Sequence, residues 1–237
     1  MSSLSKDARV AGSLYILASV VGVLRLMYIP KVLIVAGNPA ATAGNIAAHE
    51  LLFRFGIVSD LVGSVLFLFV TLALYRLLKA VDQPLAVVMV ILGGLMITPL
   101  FFINTVNDAA ALLFARGADF LSIFDKPQRE AFAMLFLRLH HHLILANEIF
   151  WGVWLLPFGL LVYRSGFLPR ILGIWLMAAC FGWLALSFTG LLFPAYESKV
   201  FSIIEPVVLG EVAIMLWLVI MGAKEPRLAV QLRASER

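Results

Sequence analysis

Long apolar runs separated by polar breaks dominate the hydrophobic pattern of this chain. Each run approaches the roughly 20 apolar residues that an α-helix needs to cross about 30 Å of hydrocarbon. The runs are continuous and do not alternate with a period of two, which excludes the strands of a membrane β-barrel. The pattern therefore predicts an all-α polytopic membrane protein, a single transmembrane domain in which about six helices form a bundle. The predicted spans are residues 10–34, 55–78, 85–103, 142–162, 171–193 and 206–221.

The polar breaks differ in length. On one side of the predicted bundle, residues 79–84 and 164–170 form tight connections. On the other side, residues 37–54 begin with a turn signal and then become compatible with a helix. Residues 108–139 mix apolar and charged positions at helical spacing, which is typical of helices lying on a membrane surface. We therefore expect short interfacial helices in these two longer connections.

Composition supports the membrane assignment. Hydrophobic residues make up 62% of the 237 residues and charged residues only 14%, whereas a soluble domain has about 45–50% and about 25%. The formal net charge of +4 is accounted for by basic residues in loops, so membrane lipids are expected partners and nucleic acid is not. The single cysteine, Cys180, excludes an intramolecular disulfide. Nothing in the sequence identifies a protein partner.

Basic residues are distributed unequally between the two sides of the predicted bundle. The side that holds both termini carries Lys6, Arg9, Arg76, Lys79, Arg164, Arg170, Lys224, Arg227, Arg233 and Arg237. The other side carries Lys31, Arg54, Arg116, Lys126, Arg129 and Lys199. Because lysine and arginine accumulate in cytoplasmic loops, we expect an inner-membrane protein with both termini in the cytoplasm.

Polar side chains within or at the ends of the spans mark candidate functional positions, because an ionisable group is costly in hydrocarbon. On the expected orientation the charged ones fall in the outer half of the bilayer, while residues 10–24, 66–74, 155–162 and 214–220 carry no charge. A continuous aqueous pore needs polar lining along its length, so the asymmetry predicts instead a polar cavity open to the outside. The candidate ligand-binding residues are Arg25, Arg54, Asp60, Asn107, Asp108, His141, Asn147, Glu148 and Glu211.

Simpler interpretations of the same residues stay open. In one such interpretation, Arg25 extends its side chain to the membrane–water interface. In another, Arg25 pairs with Asp60 and the pair serves only to stabilise the fold. Residues 140–142, three adjacent histidines, form a polar patch at a helix entrance. A buried carboxylate such as Glu148 or Glu211 is harder to explain in this way, since it needs a proton, a metal ion or a cationic ligand.

Histidine and carboxylate side chains also raise the question of a metal. His49, His140 and His141 are weak candidates for metal ligands, with carboxylates from neighbouring helices completing the set. Their spacing matches no metal signature such as H-E-x-x-H, because His49-Glu50 is followed by no second histidine. The sequence thus identifies no cofactor.

Several motifs resemble a known family. They are Val35-Ala-Gly37, Ala41-Thr-Ala-Gly-Asn45-Ile46, Phe53-Arg54-Phe-Gly-Ile-Val-Ser-Asp60-Leu61, Ala73-Leu-Tyr75-Arg-Leu-Leu78, Trp154-Leu-Leu-Pro157-Phe-Gly159, Tyr163-Arg-Ser-Gly166-Phe-Leu-Pro-Arg170-Ile-Leu-Gly173, Gly210-Glu211 and Leu216-Trp217-Leu218. Together they resemble the bacterial membrane proteins of domain of unknown function 4386. The resemblance implies an integral membrane protein of bacteria or archaea without an established activity. It places Arg54, Asp60 and Glu211 within family-like motifs.

Three functions fit these observations. In the first, the cavity binds, and acts on, a small amphipathic or lipid-like molecule. Asp60 or Glu148 would then be the catalytic base, Arg25 would hold an anionic group, and a histidine would shuttle protons. In the second, the protein is a carrier driven by protonation of Glu148 or Glu211. In the third, it is a non-catalytic membrane subunit or assembly factor.

Overall fold

A computed structural model describes residues 3–224, and within them the chain forms helices joined by short connections, with no strand. Six of the described helices are long and apolar enough to cross a membrane, and one shorter helix lies between the first two. We number them α1 (Ser3–Leu33), α2 (Pro39–Ala48), α3 (Glu50–Leu78), α4 (Gln83–Arg116), α5 (Lys126–Ser165), α6 (Arg170–Leu192) and α7 (Pro194–Ile220). The predicted all-α polytopic class is confirmed.

The spanning helices are longer than the apolar runs that predict them. α4 continues to Arg116 and α5 begins at Lys126, although the pattern predicts separate surface helices across residues 108–139. Only residues 117–125 join the two spans, through one 3₁₀ turn at Asp119–Leu121. Hydropathy marks the residues that suit hydrocarbon, whereas a helix continues as long as its backbone hydrogen bonds do. The polar ends of these spans therefore resemble loops in the sequence.

Three irregularities interrupt the spans. α1 widens into a π-helical turn at Leu24–Tyr28, where the N–H of Ile29 bonds to the carbonyl of Leu24. Pro30 follows at once and has no N–H with which to continue the α-helical pattern. α4 has a second π-helical turn at Ile91–Leu95. α5 is interrupted at Trp154, three residues before Pro157, which is the usual cause of a break in a helix.

The described residues cluster into two compact units. We call residues 3–17, 66–97 and 145–224 the Trp154 unit, and residues 18–65 and 98–144 the Arg25 unit. α6 and α7 belong to the first, and α2 belongs to the second. The prediction of a single transmembrane domain stays a prediction.

Close helix contacts hold the Trp154 unit together. Gly159 on α5 and Gly173 on α6 face each other so tightly that a Cβ on either would come within 2.6 Å of the other's carbonyl oxygen. Trp154 and Phe158 are fully buried beside this contact, with stacked rings 5.3 Å apart. Small residues let two backbones approach in this way. The sequence motif spanning residues 154–173 is therefore a packing motif.

A buried apolar cluster and hydrogen bonds between α2 and the end of α1 stabilise the Arg25 unit. The Asn45 amide donates to the carbonyl of Leu33 at 3.3 Å, and the Thr42 hydroxyl bonds to both backbone groups of Val35. Asn38 caps α2 by accepting from the N–H of Ala41 at 3.0 Å. The cluster comprises Ile29, Leu33, Ile46, Phe53, Ala111, Leu112 and Leu137.

Large apolar side chains also remain on the outside of the spans. Val20, Ile103 and Phe181 are each more than half exposed. Such exposure along long apolar helices fits a multi-pass membrane protein surrounded by lipid. Arg227, Arg233 and Arg237, which enter the orientation count, lie outside the described residues.

Candidate functional site

A buried charge cluster lies in the Arg25 unit, formed by one residue from each of four spans. Arg25 on α1 donates from Nε to Asp60 Oδ2 on α3 at 2.8 Å, and from Nη2 to Asp108 Oδ2 on α4 at 2.7 Å. Arg25 Nη2 also lies 3.2 Å from His140 Nε2 on α5. All four residues are buried. We call this group the Arg25 cluster.

Local structure positions the members of the cluster. Arg25 lies within the π-helical turn of α1, an irregularity that is frequent at functional sites. Gly56, one turn before Asp60, packs against the arginine, and a Cβ there would lie 3.4 Å from Arg25 Cδ, in ordinary van der Waals contact. On α4, Asn104 donates to the carbonyl of His140 at 3.2 Å and so ties α4 to α5 beside the cluster.

The contact between Arg25 and His140 indicates which tautomer a neutral imidazole adopts. A guanidinium group carries only donors, so His140 Nε2 must accept and its proton must lie on Nδ1. That nitrogen lies 3.2 Å from Asp108 Oδ2 but forms no hydrogen bond with it. With a neutral imidazole, one guanidinium faces two carboxylates, and the cluster has one negative charge in excess.

Hydrogen-bonding capacity also remains unused in the cluster. Asp108 Oδ1 and His140 Nδ1 are buried and have no hydrogen-bond partner among the described residues. Buried polar atoms are normally paired, since leaving one unpaired costs about 1–3 kcal/mol. Asp108 Oδ1 can therefore accept a further hydrogen bond, and the Nδ1–H of His140 can donate one, without breaking an existing bond at these atoms.

The same side chains satisfy one requirement of a metal site. Asp60, Asp108 and His140 present ligand atoms within 4.8 Å of one another. Arg25 already bonds to both carboxylates and contacts the imidazole. A metal ion would have to displace the guanidinium, so the cation that this geometry accommodates is Arg25 itself.

A second polar group lies in the Trp154 unit. Glu211 on α7 accepts from Trp183 Nε1 on α6 at 2.8 Å, and its other oxygen is hydrogen-bonded to the Tyr15 hydroxyl on α1. Tyr15 is buried and contacts the rings of Phe67 and Trp154 edge to face. No described lysine, arginine or histidine forms an ion pair with Glu211.

Asn147 and Glu148 on α5 form a third polar position, also in the Trp154 unit. They are 2% and 6% exposed. Asn147 Oδ1 and Glu148 Oε2 have no hydrogen-bond partner among the described residues. Both are acceptor atoms, so a hydrogen-bond donor such as an ammonium or hydroxyl group would satisfy them.

The remaining predicted residues lie apart from these groups. Arg54 is 51% exposed and pairs with Glu50, which also pairs with Arg116 at 3.0 Å. His49 ends α2 and is exposed, with its ring on the carbonyl of Asn45. His141 is exposed beside the ring of His142. Asn107 is half-buried and donates to the side chain of Asn104.

The structure thus brings together four of the charged or histidine candidates in the Arg25 cluster. His140 joins Arg25, Asp60 and Asp108, whereas its neighbour His141 does not. The sequence pattern did not single out Tyr15 and Trp183 as the partners of Glu211. A tyrosine hydroxyl within a span was a usable signal, because a buried tyrosine normally finds a hydrogen-bond partner.

Two grooves on the described structure lie away from the Arg25 cluster. One, of about 350 Å³, is lined by Phe124, Gln128, Ala131, Phe132 and Leu135. The other, of about 470 Å³, is lined by Leu113 and by residues 116–120. Neither is lined by a member of the Arg25 cluster or by Glu148 or Glu211, so the predicted polar cavity stays a prediction.

Comparison with known proteins assigns the family. No curated protein and no solved structure matches the chain. A family model does match, over residues 10–222, which include every spanning helix except the first turns of α1. The match covers most of the chain and agrees with the resemblance seen in its motifs. The chain therefore belongs to the membrane protein family described as Domain of unknown function (DUF4386).

Proposed function

We propose that this protein is a proton-coupled carrier that moves a small molecule across the membrane. The observation that supports this best is the Arg25 cluster, in which one guanidinium faces two buried carboxylates and a histidine. Intramembrane carboxylate and histidine groups of this kind are used as proton relays in transporters and pumps. The charge-free stretches of the spans argue against a continuous aqueous pore.

Protonation of His140 supplies a physical link between a proton and a movement. A proton can join the ring only at Nε2, because Nδ1 already carries one in the neutral form. The new N–H would then face the N–H groups of Arg25 at a contact that is now 3.2 Å. Two donors repel, so Arg25 would leave His140 while the cluster's excess negative charge is neutralised. Because Arg25 lies on the π-helical turn of α1, we expect this movement to occur in a spanning helix.

Transport in proteoliposomes tests the carrier. The purified protein is reconstituted with an entrapped pH-reporting dye, a pH gradient is imposed, and small amphipathic cations, anions and neutral compounds are added in turn. We expect at least one class to dissipate the gradient, and we expect this flux to disappear in Asp108→Asn. The control Arg54→Gln removes an exposed ion pair and should keep the flux.

Two results would contradict the carrier. One is a flux that Asp108→Asn leaves unchanged. The other is the absence of flux for every compound class, combined with full function of Asp108→Asn in the cell. The second result would favour a non-catalytic subunit or assembly factor, whose cluster has only a structural role.

A second candidate function is the binding of a small amphipathic or lipid-like molecule within the membrane. Asn147 and Glu148 favour this function. Their unpaired acceptor atoms suit a ligand that carries an ammonium or hydroxyl group. If the protein also acts on that ligand, Glu148 is the better base, because Asp60 is engaged with Arg25.

Native mass spectrometry of the detergent-purified protein tests this candidate. A stoichiometric ligand of lipid size should be present in the native protein and absent from Glu148→Gln. Glu205→Gln, which changes an exposed carboxyl on α7, should retain it. Equal ligand occupancy in all three proteins would contradict binding at Glu148.

We also propose that the protein lies in the inner membrane with both termini in the cytoplasm, which the distribution of lysine and arginine supports. Single-cysteine labelling in a Cys180→Ala background tests this orientation. Ala80→Cys and Ser122→Cys place thiols at exposed positions in opposite sets of connections. A membrane-impermeant maleimide added to intact cells should label the second and not the first, and the reverse pattern would invert the orientation.

A further inference from the structure

Glu211 is a membrane-embedded carboxylate held by two neutral donors. Trp183 Nε1 donates to Oε1 at 2.8 Å, and the Tyr15 hydroxyl bonds to Oε2. The three side chains come from α7, α6 and α1 of the Trp154 unit. The two donors fix the position of both carboxylate oxygens without supplying any positive charge.

The surroundings of Glu211 are aromatic. Tyr15, Phe67 and Trp154 contact one another edge to face, with ring centroids 5.2–5.9 Å apart. On the other side, the Trp183 ring contacts Trp151 of α5 at 5.3 Å. An ionised carboxylate is costly in such an environment unless a cation joins it.

The charged groups of the neighbouring helices do not provide that cation. The nearest acidic residue along α7 is Glu205, which is exposed and lies about 9 Å before Glu211 along the helix axis. Glu148 on α5 lies three residues before Trp151 and is also acidic. The remaining titratable groups of the helices around Glu211 within this unit are Lys6, Asp7 and Arg9 on α1, Tyr75 and Arg76 on α3, Tyr163 and Arg164 on α5, Arg170 and Cys180 on α6, and Tyr196, Glu197 and Lys199 on α7.

We infer that Glu211 is a reversible proton-binding site, separate from the Arg25 cluster, with Tyr15 as its positioning residue. The proton comes from a hydronium ion and adds to Glu211 Oε2, leaving water. A tyrosine hydroxyl both donates and accepts. It donates to the ionised carboxylate and accepts from the carboxylic acid, while Trp183 donates to Oε1 in either state. The hydrogen bonds therefore persist through the cycle, and only the direction of the Tyr15–Glu211 bond reverses.

This site does not depend on the carrier proposal. A proton can bind at Glu211 whether or not the Arg25 cluster takes part in transport. If both hold, the protein carries two separate proton sites, and Asp108→Asn should leave the behaviour of Glu211 unchanged.

Infrared difference spectroscopy of the full-length protein in nanodiscs tests the inference. Spectra are recorded between about pH 4 and about pH 9, which spans the range where a perturbed carboxyl group titrates. We expect a carboxylic C=O stretch that appears and disappears reversibly with pH. It should be lost in Glu211→Gln and kept in Glu205→Gln. Tyr15→Phe should move the band to higher frequency, because it removes the hydrogen bond to Oε2.

Three results would overturn the inference. The band could persist in Glu211→Gln, it could be independent of pH in the native protein, or it could keep its frequency in Tyr15→Phe. If Glu211→Gln does not fold, the native protein labelled with ¹³C-glutamate is measured in place of that variant. The titrating band of the native protein must then shift, and the frequency change in Tyr15→Phe assigns that band to Glu211.

Discussion

Removing Arg25 should destabilise the protein far more than removing an arginine at the rim. In Arg25→Met, Asp60 and Asp108 lose the cation that they share, and their side chains are only 3% and 1% exposed. Breaking a buried ion pair by deleting one partner costs about 3–5 kcal/mol, since the remaining charge stays buried without compensation. Two carboxylates are left here, so we expect the upper part of that range. Arg54→Met should cost about 0–1 kcal/mol, because an exposed pair contributes little.

A compensated variant distinguishes the loss of charge balance from the loss of packing. Arg25→Met combined with Asp60→Asn and Asp108→Asn removes the whole set of charges while keeping the side chains close to their original size. Replacing a complete buried ionic group is often neutral or stabilising, so most of the lost stability should return. The free energy of unfolding, measured by denaturant titration in mixed micelles, provides the comparison.

Either of two outcomes would contradict this dependence of the carboxylates on Arg25. If Arg25→Met loses no more stability than Arg54→Met, the two carboxylates do not depend on the guanidinium. If the triple variant is no more stable than Arg25→Met alone, the loss comes from packing of the long side chain and not from uncompensated charge.

Two further predictions concern His140 and the packing of α5. Lowering the pH should increase hydrogen exchange in the π-helical turn of α1, measured by mass spectrometry, and His140→Gln should abolish that increase while His141→Gln keeps it. Equal behaviour of the two variants would exclude His140 as the proton acceptor. Gly159→Ala should cost about 1–3 kcal/mol in the same unfolding assay, because its Cβ would lie 2.6 Å from the carbonyl oxygen of Gly173. Gly44→Ala, which has open space around it, should instead stabilise its helix by about 0.5–1 kcal/mol; equal effects would contradict the packing argument.

The apolar runs were enough to predict the fold class, because hydrocarbon leaves the chain few choices. Without water to satisfy backbone groups, a spanning segment must be a helix or part of a closed barrel, and continuous runs exclude the barrel. The helix ends were harder to predict. α4 and α5 continue through polar residues at Arg116 and Lys126 that hydropathy assigns to loops.

Candidate site residues were identified from the free-energy cost of placing a charged side chain in hydrocarbon. That cost identifies which residues are unusual but not which way their side chains point. Arg25 and Asp60 are conspicuous in apolar runs, and Asp108 lies just beyond the end of one, so the sequence singled them out. Periodicity along α5 could not distinguish His140 from His141, because neighbouring residues differ by only about 100° around a helix. Only the packing of α5 against the other spans turns His140 inwards.

Local composition was enough to establish that this chain crosses the membrane as helices and to identify the polar residues that are costly there. Both follow from local composition, because the transfer cost of a side chain depends mainly on its own chemistry. The tertiary structure alone decided the partnerships: Arg25 with two carboxylates and a histidine, and Glu211 with Tyr15 and Trp183. These contacts join residues 28 to 196 positions apart. Which side chains meet over such distances is determined by how the helices pack and rotate against one another, and no pattern within a single helix contains that information.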